Sequence, residues 1–179
     1  MADKNHIEIL DQGIEAWNAW RTENPDIKPD LSAHDLTGRF LQGINFEGSD
    51  LKATLLTVAE LDGANLNEAD LTGANLTGAD LSQATARGAR LIGVDLSYAT
   101  LTGCDLDGAD MTRCRLPEAI LFNATLRNAC LVEAHLRETI LTGADLTGVN
   151  LEGAHLQDLI TDGAILPIGM PKMLRKNLD

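Results

Sequence analysis

One feature constrains this chain above all others: a large apolar residue recurs every five positions. The stride runs from Leu31 to Leu166 without a slip, giving 28 positions of which 24 are Leu. Phe46, Ala86, Met111 and Thr161 hold the other four. An α-helix cannot use such a pattern, because 3.6 residues per turn would smear a five-residue period around the cylinder. A flat strand cannot use it either, because its period of two would send successive leucines to opposite faces.

A second column resolves the geometry. From Ala59 on, the position two residues before each centre usually holds a small residue, most often Ala, as in Ala64, Ala69, Ala74 and Ala79. Residues two apart on extended backbone point the same way. Each five-residue unit is therefore a short extended piece with one large and one small side chain inward, followed by a turn. The turn positions hold Gly or polar residues, as in Ala69-Asp70-Leu71-Thr72-Gly73, which suit a reversal of direction. Composition agrees with such a core. Aromatic residues are 3% of the chain, so Leu and Ala must fill the interior that Phe, Tyr and Trp fill elsewhere.

The tandem A-(D/N)-L-X-X pattern, clearest from Ala69 to Leu81, resembles the pentapeptide-repeat family. That resemblance implies an all-β solenoid, a right-handed quadrilateral β-helix with four units per coil. The 28 units then make about seven coils, and the rod is roughly 30 Å long at the usual strand spacing. Spacings of 20 give independent support: Ile120, Ile140 and Ile160 recur in an outward place, as do His135 and His155. Asp70, Arg90 and Asp110 alternate in sign at the same spacing. Stacking also predicts an Asp95–Arg115 pair.

Three segments follow: residues 1–30 as a helical cap and Pro-containing linker, 31–166 as the β-helix, and 167–179 as a tail. Open ends of stacked strands invite polymerisation, so a stopper is expected. Residues 3–23 supply one, with Ile7, Leu10, Ile14, Trp17 and Trp20 in a helical stripe. Asn5-His6-Ile7-Glu8 reads as its capping box, and Pro25 and Pro29 end it. His34 and Arg39 stand where Ala belongs, so they are expected to turn outward or to meet the cap. In the tail, Pro171 could start a short helix with Met173, Leu174 and Leu178 on one side and Lys172, Arg175 and Lys176 on another. It either covers the lower end or pairs with a second subunit, as the resemblance implies.

Catalysis needs polar groups converging in a concave site. A straight square rod filled with Leu and Ala is convex, so no catalytic residue, no metal site and no cofactor is expected. His135 and His155 stack but fall short of the three or four ligands a metal wants. Cys104 and Cys114 lie in the small inward column, whereas Cys130 faces out and should react. An odd number of cysteines without a CxxC motif suggests reduced thiols and a cytoplasmic setting. No apolar run approaches the length of a membrane span, and no signal peptide is expected.

Charge narrows the partners. The chain carries 27 acidic and 14 basic residues, a net charge of −13, which argues against direct nucleic-acid binding and against anionic membranes. Candidate acidic-surface residues are Asp50, Glu60, Asp62, Glu68, Asp70 and Asp80. A candidate protein-binding or dimer patch is Ile120, Phe122, Ile140 and Ile160, covered by the tail, by a second copy, or by another protein. The expected function is a non-enzymatic interaction or scaffold module presenting a rigid acidic rod. Its partner is an unidentified protein, with self-association as a homodimer also open. The alternative, implied by the resemblance, is a DNA-mimicking modulator of a type II topoisomerase such as gyrase. Two core irregularities are expected to show: a small void or bend at Ala84 and Ala86, and a volume-conserving exchange at Leu159 and Thr161.

Overall fold

Five-residue units with one large inward side chain cannot form long strands, and the computed structural model, which describes residues 2–168, shows none. Each unit contributes a single bridging residue, and each bridge is parallel and joins residues 20 apart, from Asp30↔Asp50 to Asp145↔Ile165. Twenty residues therefore make one four-sided coil. The bridging positions fall into four columns of seven, one column per face.

The hydrogen bonds explain why the period is five. In the unit starting at Leu61, the Leu61 N–H donates to the Asp80 carbonyl in the next coil at 2.7 Å, and the Gly63 N–H donates to Ser82 at 2.8 Å. The Ala64 N–H turns back to the Leu61 carbonyl at 2.9 Å, closing the corner. The intervening Asp62 N–H has no ladder partner. Across the repeat, that orphan donor is met by the side chain two residues earlier: Asp80 accepts from Ser82 at 2.9 Å and Asn75 from Thr77 at 3.0 Å. Where Asp or Asn precedes the central residue, its side chain thus satisfies a backbone group that the ladder leaves free.

Closing a corner in three residues forces its third member into the left-handed region. All positions from Ala33 to Gly163 at stride five have φ between +49° and +73°. Glycine serves there at no steric cost, but Val58, Tyr98, Arg113 and Glu118 occupy the same conformation. For a β-branched residue such as Val58, that conformation is strained.

Inside, Leu51, Leu61, Leu71, Ala59, Ala69 and their equivalents up to Leu146 are buried in one continuous core, against which Leu151, Ala154, Leu156 and Leu166 of the last coil are partly buried. The rung hydrogen bonds run unbroken past the small pair, with Leu66 to Thr85 at 2.6 Å and Ala86 to Asp105 at 2.7 Å. At the other irregularity, Thr161 is buried and Leu159 packs against the core. Three polar side chains stand in the small inward column. Thr54 and Thr139 donate to the Leu51 and Leu116 carbonyls, each at 2.8 Å. The Ser49 hydroxyl is buried without a partner.

The cap is two helices rather than one: α1 (Lys4–Leu10) and α2 (Ile14–Glu23). Gly13, at φ 106°, breaks the stripe. The expected capping box at Asn5 is corrected too. Asp3 is the N-cap, accepting from the Asn5 N–H at 2.8 Å and the His6 N–H at 3.4 Å. The stripe itself lands as the spacing implies. Leu10 and Trp17 are buried, and Ile7, Ile14 and Trp20 are half-buried against the core. Trp17 stacks edge-on over Phe46 at 5.6 Å and donates from its indole to the Asn45 carbonyl at 2.7 Å. Arg39 turns out to meet the cap, pairing with Asp11 at 3.0 Å. Arg21 clamps cap to rod, donating to the Ile27 carbonyl at 2.6 Å and the Glu47 carbonyl at 2.8 Å. The tail helix expected from Pro171 lies outside the described residues.

Ser49→Ala should stabilise the protein by about 1 kcal/mol, because it removes a buried hydroxyl without a partner and leaves the small slot filled. Urea unfolding reads this as a raised midpoint with an unchanged slope. A lowered midpoint would mean that the hydroxyl has a partner in solution.

Candidate interaction surface

With four columns fixed, each outward residue has an address. The first face carries Asp30, Asp50, Asp70, Arg90, Asp110, Cys130 and Asn150. The second carries Asp35, Leu55, Asn75, Asp95, Arg115, His135 and His155. The third carries Phe40, Glu60, Asp80, Thr100, Ile120, Ile140 and Ile160. The fourth carries Asn45, Asn65, Thr85, Asp105, Thr125, Asp145 and Ile165. Each face also owns the turn that follows its rung.

Ion pairs climb three of these faces. On the first, Lys52 bridges Asp50 at 2.8 Å and Asp70 at 3.2 Å, and Arg90 reaches Asp70 at 3.6 Å. Asp110, the other expected partner of Arg90, accepts instead from Thr112. On the second, Arg115 meets Asp95 at 3.4 Å, as stacking predicts. On the fourth, Arg87 pairs with Asp105 at 2.5 Å and Arg127 with Asp107 at 3.2 Å. Desolvation works against the buried Asp70 carboxylate, yet Thr72 and Lys52 outweigh it and hold its pKa below the ordinary range. Asp105 follows the same logic, with Arg87 as its cation.

The sequence-predicted acidic residues therefore do not form one surface. Asp70 is 7% exposed and is corrected from a surface candidate to a buried member of an ion-pair ladder. Asp50 sits half-buried in the same ladder. Glu68 is exposed on a turn of the fourth face. Glu60, Asp62 and Asp80 share another face, the third, where Glu60 accepts from the Gln42 side chain and Asp80 from its own turn.

That same face holds the isoleucines. Ile120, Ile140 and Ile160 occupy three successive rungs, half-buried for the first two and 42% exposed for the last. Phe122, 43% exposed, is in the turn after the Ile120 rung. Sequence reasoning passed over five more exposed apolar side chains on the rod: Phe40, Leu55, Val58, Tyr98 and Ile165. The five-residue register contained the signal, since each is apolar in an outward or turn slot. Val58 and Tyr98 are two rungs apart in one corner column, with Gly78 between them and Val58 leaning over it.

Other candidates resolve simply. His135 and His155 stack at 4.5 Å between ring centroids. No group of three or more His, Cys, Asp or Glu able to hold a metal occurs among the described residues. A cleft of about 400 Å³ lies beside Arg21, lined by Asp26, Lys28, Glu47 and Glu68. Among the described residues no helix is long and apolar enough to cross a membrane. Burial pushes the Cys104 thiol up to about 12 and the Cys114 thiol higher still, whereas Cys130 is half-buried on the first face beside the Thr112 hydroxyl at 3.3 Å. A maleimide reagent at pH 8 should label one thiol of the native protein, at Cys130, and three after unfolding. Native labelling of Cys104 or Cys114 would show that the core opens.

Comparison with known proteins matches this geometry. The family model described as pentapeptide repeats matches in eight copies, over residues 41–78, 74–113 and 119–158. No match was found among curated proteins. Among solved structures, HetL, a pentapeptide repeat protein involved in heterocyst differentiation regulation from the cyanobacterium Nostoc, is 34% identical. The match covers 80% of this chain and 77% of that one, with a TM-score of 0.40. The Nostoc protein alr5209 is 35% identical over 57% of this chain and 79% of that one, with a TM-score of 0.49. QnrB1, a plasmid-mediated fluoroquinolone resistance protein, is 20% identical over 83% of each chain, with a TM-score of 0.38. Pentapeptide repeat proteins form right-handed quadrilateral β-helices and generally serve as structural or interaction modules. By repeat, coil size and sequence match, this chain belongs to the pentapeptide-repeat family.

Proposed function

We propose that the protein is a non-enzymatic interaction module that works in the cytoplasm by offering a rigid, flat-sided rod to another protein. One observation carries this reading. Outward residues are held in fixed columns by a backbone ladder that repeats every 20 residues, and one of the four faces departs from the ion-pair pattern of the others. A preformed surface loses little conformational freedom when it binds, so even a modest contact area yields useful affinity. The test is size-exclusion chromatography of a host extract containing the tagged full chain. The chain should elute in a complex that resists nuclease and is displaced by untagged chain. Elution as the free chain at every concentration would overturn the reading.

A narrower reading, modulation of a type II topoisomerase by imitation of DNA, draws support from the net charge of −13 and from the carboxylates of Glu60, Asp62 and Asp80, which pair with no cation among the described residues. The ladders of Lys52, Arg87, Arg90, Arg115 and Arg127 count against it, because they neutralise acidic columns that a duplex would leave bare. Imitation by charge requires inhibition of gyrase supercoiling that weakens as salt rises. Supercoiling unaffected across the concentration range would remove the idea.

A further inference from the structure

We propose that the third face is a docking strip for a partner segment that is cationic in one half and aliphatic in the other. This inference rests on the interaction-module reading and names the surface and the chemistry of its partner.

The face is unlike the other three in charge. Its rungs and turns hold Glu60, Asp62, Asp80 and Asp162 and not one Lys or Arg. Among the described residues, every ion pair within the rod lies on another face. Its acidic side chains therefore keep their full field for an incoming cation.

The face is also ordered along its axis. Phe40 heads the column, and acidic rungs follow at Glu60 and Asp80. Thr100 separates them from Ile120, Ile140 and Ile160, with Phe122 alongside. Three of the four carboxylates thus lie in the first half of the face and the three isoleucines with Phe122 in the second, with Phe40 and Asp162 as the exceptions at the two ends. The corner beyond the face is open at its two ends, at Gly43, Gly63 and Gly163, whereas the Gln83 and Asn123 side chains lie over Gly103 and Gly143 in the middle. From Phe40 to Ile160 the column spans six rung spacings, about 29 Å at the usual strand separation. A helix of about 20 residues covers that length.

Two occupants present in the chain itself fit less well. A second copy laid antiparallel would bury Glu60 and Asp80 against isoleucines, and one laid parallel would set carboxylate against carboxylate. Both arrangements desolvate charge without a partner. The chain's own residues 169–179 have suitable chemistry, but Lys172, Arg175 and Lys176 are interleaved with Met173, Leu174 and Leu178. The strip asks for two separate blocks.

The experiment selects from a library of random 20-residue peptides displayed on phage, using the immobilised full chain. Enriched peptides should cluster Lys and Arg in one half and Ile, Leu, Met or Phe in the other. They should bind at least tenfold more weakly to Ile140→Asp and to the Glu60→Lys, Asp80→Lys double variant. Binding to Glu152→Lys, on the first face, should stay within twofold. Should Ile140→Asp fail to fold by circular dichroism, Ile140→Ser takes its place. Peptides without the two-block pattern, or indifferent to either set of changes, would overturn the proposal. Binding equal on all variants would do so while leaving the interaction-module reading intact. A tenfold gain on Met173→Asp, Leu174→Asp in the full chain would give the strip to the tail instead. A dimer in light scattering that Ile140→Asp splits would give it to a second copy.

Discussion

Everything in this molecule depends on the corner. A coil of four equal sides requires the backbone to turn about 90° every five residues, and each turn places its third residue at positive φ. Left-handed backbone costs a residue with a side chain roughly 1–2 kcal/mol, and thirteen corners carry such a residue. Twelve of those corners, all but the one at Asp158 in the last coil, are pinned by three backbone hydrogen bonds, two to the adjacent coil and one across the turn. The strain is thus shared by a structure that over-determines it. The core makes the same demand from the other side, since Leu at every centre is buried only if all corners turn alike.

The fold was legible because one physical requirement, a large residue on the axis at each side of the coil, writes itself into the sequence with the period of the coil. Leu61, Leu66, Leu71 and Leu76 mark successive sides, whereas the number of sides per coil came from the family resemblance and from recurrences at spacing 20 such as Ile120, Ile140 and Ile160. The cap was half legible. Trp17 over Phe46 follows from helical spacing, but the break at Gly13 depends on how a short helix must bend to seat Leu10 and Trp17 on one coil. The Asp3 cap was hidden because Asn5 and Glu8 offered a competing local pattern.

The surface was less legible for a different reason. Sequence places a charge in a column, but a carboxylate's availability depends on neighbours 18 to 20 residues away. Asp70 and Asp80 look equivalent in the repeat. Lys52 and Arg90 bracket Asp70 and close over it, whereas Asp80 is bracketed by Glu60 and Thr100 and pairs with no cation among the described residues. Grouping the chain into coils rather than into linear acidic zones reveals the third face. The same regrouping shows Val58 and Tyr98 in one corner column, though 40 residues separate them.

The central claim is that residues 20 apart are nearest neighbours on the surface. Paired spin labels in a cysteine-free background test it directly. Labels at Glu60 and Asp80, one coil apart, should show strong dipolar broadening, as expected for sites within about 10 Å on adjacent rungs. Labels at Glu60 and Asp70, on opposite faces of the tube, should show none. Comparable broadening for both pairs, or broadening for the second alone, would contradict the four-sided coil and with it every surface assignment made from it.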